Sequence, residues 1–338
     1  MTDTIEPAEV VDALPPPAPD IRVPTLTKAR RRRNAMASGG MIVAFLGAAI
    51  PLLFVAFTVV NKGANIVGPG FLTRDIPSAA SGSELRNDCT AQNKYGGNAK
   101  GCEARAKASA AAKPGMGPAV VGTLITTVVS ALLAIPLGLL AAIYLHEYGK
   151  STRLARSIRF LADVMTGVPS VVMGIFIYAL WVVTFGQGKS ALAASLALAA
   201  LMLPIVVRSS EEMLRLVPDA LREGSAALGA RTWKTTLRVV LPSALPGLVS
   251  GSMLAVARAA GETAPVLFTI GAADTVAQSQ TLTGQSTTLS FQIYSLITNG
   301  GKLSPEMAWG AALTLIAMVM VLTIGARALS SRLSVAVA

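Results

Sequence analysis

The sequence predicts an all-α integral membrane protein with six transmembrane helices and both termini in the cytoplasm. Three observations carry this reading: few charges, long apolar runs, and basic residues that mark alternate loops. The long loop 61–117 is set aside in that pattern, because its eight Lys and Arg say little about topology. Of the 338 residues, 52% are hydrophobic and 14% charged, well below the charged share of an ordinary soluble domain. The apolar residues are bunched into runs near the length of about 20 residues that a helix needs to cross a bilayer. Backbone in lipid must bond itself, which leaves helices or a closed barrel, and such continuous runs lack the alternation of barrel strands.

Residues 1–35, with PPPAPDIRVP, are polar and proline-rich, and read as a disordered basic cytoplasmic tail. They do not form a cleavable signal, because the apolar run begins too late and is too long. The KARRRRN cluster ahead of that run marks the cytoplasmic side and suits anionic membrane lipid rather than nucleic acid. Residues 36–60 form the first span, and 61–117 an extracytoplasmic loop holding both cysteines of the chain, Cys89 and Cys102. Outside the cytoplasm such a pair is a disulfide candidate. A zinc site would want four ligands, and no others are near. The loop reads as a surface decoration or as a docking surface for a partner.

Residues 118–329 form a core of five spans, near Pro118–Tyr144, Phe160–Phe185, Ser190–Val207, Leu241–Pro265 and Trp309–Leu329, and 330–338 a cytoplasmic tail. Orientation follows from the loops. Lys150, Arg153, Arg156 and Arg159 follow the second span, and Arg208, Arg215, Arg222, Arg231, Lys234 and Arg238 follow the fourth. The opposite loops of the core carry only Lys189 and Lys302. The basic loops, including a segment 208–241, are therefore cytoplasmic.

Catalytic chemistry has no visible home. GQGKS (186–190) and GKS (149–151) echo a phosphate-cradling loop, but Val183 and Tyr144 stand where its first glycine belongs. The chain is expected to bind no cofactor itself. The single histidine, His146, lies beside Glu147 at a membrane edge, and no nucleophile–base or paired-carboxylate arrangement appears.

The segment EGSAALGARTWKTTLRVVLP (223–242) is polar yet well built. Pro218 and Asp219 suit a first helical turn, and Leu221, Gly224, Ser225 and Leu228 recur at helical spacing as a ridge with a small centre. Gly229 is a natural left-handed stop. Thr232 reads as the N-cap of a second helix bearing Trp233, Leu237, Val240 and Leu241, and Pro242 is expected to reset direction into the fifth span. Such a ridge fits a groove on another protein.

The fifth span sets Arg258 and Glu262, one turn apart, among Gly247, Ser250, Gly251, Ser252, Ala255, Ala259 and Gly261. Small residues let helices approach closely. The charges imply a pathway or bundle interior, or a structural ion pair. The third span is interrupted by Gly167 and Pro169 beside Thr166 and Ser170, which frees backbone groups for binding in a cavity.

Glu223, the small Gly224 and Ser225, Gly229 six positions on, an aliphatic residue at 239 and Leu241-Pro242 resemble the EAA coupling loop of ATP-binding-cassette importer permeases. The family has alanines where this chain has Gly224 and Ser225. With TGVPS and ARAAGETAPVLFT, the chain from Pro118 onward resembles the PstA-type permeases of phosphate importers. The tail and the cysteine loop depart from that compact plan. The resemblance implies a type I importer permease fold. It also implies a machine with a PstC-like permease, two PstB-like ATPase subunits carrying ATP and Mg, and a PstS-like phosphate-binding protein. In that setting Arg258 is expected to meet the anion, Glu262 to restrain Arg258, and Arg208 to be a second cationic station. Another oxyanion, such as molybdate, sulfate or phosphonate, is the main alternative. An anion channel would explain the arginine but not the loop.

Overall fold

The structure, a computed structural model, describes residues 28–76, 115–149, 151–299 and 304–335, and its regular elements there are all helices. Cys89 and Cys102, with most of the loop around them, lie outside the described residues. By internal contacts the chain divides into two units, Met1–Val55 and Ala56–Ala338. Within the first, the described residues form the start of α1 (Lys28–Gly63), and its Phe45, Leu52 and Leu53 are exposed.

The second unit contains α2 (Pro69–Thr73), α3 (Gly117–Ile143), α4 (Arg153–Gly167), α5 (Ser170–Ile177) and α6 (Ala191–Arg215). It continues with α7 (Asp219–Ala227), α8 (Thr232–Thr235), α9 (Leu241–Gly261), α10 (Ala264–Thr269), α11 (Val276–Ser279), α12 (Leu289–Asn299) and α13 (Ser304–Val335). π-Helical turns extend α3 to Tyr148 and α5 to Thr184, and join α8 to α9. Among the described residues, five helical runs are long and apolar enough to cross a membrane, and the bent pair α4–α5 makes a sixth if counted as one span.

Polarity is inverted relative to a soluble protein. On α3 the buried positions are small or polar and include Thr123, Thr126, Thr127, Ser130 and Ala134, whereas Leu132, Leu137 and Leu140 face outward. Lipid tails solvate leucine as well as another helix does, so association depends on close approach and hydrogen bonds. A β-carbon on Gly138 of α3 would meet the Val206 side chain of α6, and one on Gly247 or Gly251 of α9 would meet Met213 or Ser209 of α6. The inner core joins Ala134, Leu198, Met202, Val206, Ala255 and Val266 from α3, α6, α9 and α10.

Several boundaries differ from the sequence reading. The third span is not one helix: α4 and α5 meet at 105° across Val168-Pro169. Proline removes a backbone donor and biases its predecessor toward extended backbone, and Val168 has ψ 129. The fifth span stops at Gly261, where Glu262 becomes extended. Pro242 does not redirect the chain. The helical run is continuous from Thr232 to Gly261, and a π turn at Thr236–Val240 adjoins the proline. α6 continues past Val207 to Arg215, so Arg208 lies within a helix rather than in a loop.

The segment between α10 and α13, read from sequence as a loop, re-enters the bundle. The Leu289 N–H that opens α12 donates to Thr123 Oγ1 on α3 at 2.9 Å, and Gln292 Nε2 donates to Thr287 Oγ1 at 3.0 Å. Gly122 gives this segment room, since a β-carbon there would overlap the Thr287 carbonyl oxygen.

Candidate functional site

The polar elbow forms two helices at an angle set by Gly229. That residue has φ +75, its N–H donates to the Ala226 carbonyl, and the Ala230 N–H donates to the Ser225 carbonyl. This pair of bonds closes α7 in the manner that favours glycine. Pro218 is the N-cap of α7 rather than part of its first turn, with Asp219 following it. Arg231, not Thr232, is the N-cap of α8, and no side chain caps there. Ser225 Oγ and Thr235 Oγ1 lie 2.9 Å apart and tie α7 to α8.

No residue of α7 is buried, and Leu228, just past its end, is 90% exposed. Glu223 is exposed and makes no hydrogen bond among the described residues. Nothing in the chain lies within 4 Å of a β-carbon placed on Gly224. Gly224 therefore answers no packing need among the described residues, whereas Ser225 is used to tie α7 to α8. Leu241 and Pro242 lie at the start of α9, within the continuous helical run Thr232–Gly261.

Arg258 and Glu262 do pair. Arg258 Nε donates to Glu262 Oε1 at 3.1 Å, with the arginine side chain 67% exposed and the glutamate 20%. Glu262 is fixed from behind, because Ser290 Oγ donates to its backbone carbonyl at 3.0 Å. The result is a glutamate with a restrained backbone whose carboxylate holds a largely exposed arginine.

The break that follows Glu262 is matched by the break at Val168-Pro169. The short helices that succeed them, α5 and α10, pack together with Gly174 against Pro265. Ser170 opens α5, while Thr166 ends α4 with its hydroxyl donated to the Ala162 carbonyl at 2.8 Å. Thr166 is thus engaged within its own helix.

Arg208 is not a free cation. Its Nη2 pairs with Asp163 Oδ1 of α4, and its Nη1 lies 3.9 Å from Glu211 Oε2. Arg159 of α4 donates to Glu211 Oε1 at 2.7 Å and to the Leu145 carbonyl at 2.8 Å. These groups border a charged cleft of about 410 Å³ lined by His146, Arg159, Arg208, Glu211, Glu212 and Arg215. The acidic members were missed in sequence. Arg159 and Asp163 stand one turn apart on α4, a spacing that could have flagged a charged face.

Residues 134–335 match the family model described as binding-protein-dependent transport system inner membrane component. The chain is 38% identical over 323 residues to the phosphate transport system permease protein PstA 1 of Mycobacterium tuberculosis, covering 95% of this chain and 96% of that one. It is 49% identical over 201 residues to the phosphate transport system permease protein PstA of Mycobacterium leprae, covering 60% and 66% of the two chains. The fold is also similar to that of the MetNI methionine ABC transporter in an inward-facing conformation. That match has a TM-score of 0.52 at 21% identity and covers 66% of this chain and 97% of that one. With its membrane-crossing helices and the elbow between α6 and α9, the chain belongs to the binding-protein-dependent inner-membrane permeases of ABC importers, and within them to the PstA proteins.

Proposed function

We propose that this chain moves inorganic phosphate across the cytoplasmic membrane. Its partners are a PstC-like permease, two PstB-like ATPase subunits that carry ATP and Mg, and a PstS-like extracytoplasmic phosphate-binding protein. The observation that carries this reading is the exposed Arg258 tethered to Glu262, in a chain similar over 95% of its length to a phosphate transport permease.

Arginine stays charged in a pore and presents a planar donor fork to an oxyanion. Glu262 occupies one donor and repels the arriving anion, so phosphate is held only transiently. Arg208 is a second station toward the cytoplasm, reached once the anion displaces Asp163. The exposed Glu223 face of α7 is the docking ridge for an ATPase subunit, with Gly224 and Ser225 leaving room for the partner and Gly229 setting the angle. ATP-driven closure of the ATPase pair displaces that ridge and shifts a two-state bundle from outward-open to inward-open.

The test is uptake of labelled phosphate at limiting concentration, in cells lacking this chain and supplied with wild type or Arg258→Gln at equal membrane levels. Uptake restored by wild type alone is the expected result. Equal uptake by both would remove Arg258 from the path. Restoration of molybdate or sulfate uptake instead would retain the importer and change its cargo.

A further inference from the structure

We propose that Arg222 is the pin through which α7 moves α3 and α6, an inference that rests on the importer reading above. Arg222 directly precedes Glu223 but points the other way, with its side chain only 14% exposed. Its guanidinium contacts three parts of the chain at once. Toward the end of α6, Nη1 donates to the Val217 carbonyl at 2.7 Å and Nη2 to the Leu214 carbonyl at 2.9 Å. At the turn extending α3, Nη2 and Nε donate to Glu147 Oε1 at 3.1 and 3.3 Å, and Nη2 lies 3.2 Å from His146 Nε2. Within α7 itself, Nη1 donates to Asp219 Oδ1 at 3.0 Å.

No other side chain of α7 makes a hydrogen bond to α3 or α6 among the described residues; Ser225 reaches only α8. Apolar packing is no substitute, because α7 has no buried residue. A load applied to the outer face of α7 therefore reaches α3 and α6 directly through this guanidinium, beside the route through Ser225 and Thr235 into the continuous helix Thr232–Gly261. Without it, α7 would remain tied to α8 and α9 alone. The anchor is stiff because Glu147 is 6% exposed and its charge is balanced here by Arg222. Breaking such a pair leaves an uncompensated buried charge. Lysine keeps the charge but lacks the fork that reaches carbonyls and carboxylate together.

The experiment uses the complex of this chain with its permease and ATPase partners, reconstituted in liposomes with the binding protein. Phosphate uptake and ATP hydrolysis are measured side by side for wild type, Arg222→Lys and Glu147→Gln. Wild type that hydrolyses ATP but moves no phosphate would overturn the reading beneath the inference, before any variant is considered. Given working wild type, Arg222→Lys should keep its hydrolysis while phosphate moved per ATP falls about tenfold, within the range that changes along a coupling route produce. Glu147→Gln, which keeps an acceptor but loses the charge, should fall between them.

Spin labels at Ala226, off the Leu221–Leu228 ridge, and at Tyr148 give a second readout. Their separation should stay fixed through the ATP cycle in wild type and change with nucleotide in Arg222→Lys. An unchanged phosphate-to-ATP ratio overturns the proposal. So does a proportional loss of both activities with a lower melting temperature and labels that still move together, since Arg222 would then be a structural tie alone.

Discussion

A β-carbon built on Gly174 would lie 2.6 Å from the Cα of Pro265. The two residues belong to the short helices that follow the chain's two breaks, so α5 and α10 form one packed unit. The obstruction is backbone, which cannot swing aside. Gly174→Ala should therefore cost about 1–3 kcal/mol by overpacking and lower both the melting temperature of the complex and its uptake. Gly167→Ala is the control, since nothing lies within 4 Å of a β-carbon there. Equal behaviour of the two variants would mean that the α5–α10 contact has slack.

Arg258 and Glu262 should separate stability from transport. An ion pair with so exposed an arginine contributes about 0–1 kcal/mol to folding, so Arg258→Gln should hardly change the melting temperature while uptake is lost. Glu262→Gln removes the competitor for the guanidinium. Its expected signature is a lower KM for phosphate together with a lower maximal rate, because the anion is released more slowly. A raised KM would instead assign Glu262 a direct part in binding.

Much of this arrangement was legible in the sequence, for reasons that differ by element. The long runs at Pro118–Tyr144 and Trp309–Leu329 show as spans because lipid demands that length of apolar helix. The break at Pro169 shows because proline cannot donate, but a missing donor locates a break without giving its direction, so the 105° bend of α4 on α5 did not follow. The break at Glu262 lay inside a span read as running to Pro265. Gly229 showed as a stop because few other residues accept its φ of +75. The re-entrant α12 was hidden. The run of Ser286, Thr287 and Thr288 that leads into it is too polar to suggest burial, and what accepts it is Gly122 and Thr123, far away in sequence. The ion partner of Arg208 was hidden for the same reason, since Asp163 is 45 positions earlier.

The two glycines of the elbow should respond oppositely to alanine. Gly224 lies mid-helix with open space around it and without positive φ. Gly224→Ala should stabilise α7 by about 1 kcal/mol through helix propensity, with uptake retained. Gly229→Ala forces a β-carbon into the left-handed region, a strain of about 1–2 kcal/mol, and alters the angle between α7 and α8. Phosphate uptake should fall, with ATPase subunits recovered at reduced yield when the complex is purified through this chain. Intact uptake in Gly229→Ala would show that the angle is not read by the partner. Gly224→Trp adds a bulky test of the docking ridge: it should block ATPase recovery without lowering the membrane level of this chain.

The Arg208–Asp163 pair links α6 to α4 at the charged cleft, and both side chains reach water, so its effect on stability should be small. Its effect on transport should be larger if phosphate must replace Asp163 to be held by Arg208. In that case Asp163→Asn leaves the arginine without its competitor, and the anion lingers. Maximal uptake should fall about two- to fivefold, the scale of coupling expected between contacting groups. Arg208→Gln should lower uptake by removing the station itself. The combination Asp163→Asn with Arg208→Gln should be no worse than Arg208→Gln alone, since the carboxylate acts only through the arginine. A fully additive loss in that double-mutant cycle would mean that Asp163 and Arg208 serve transport independently, and the exchange of partners at the cleft would be wrong.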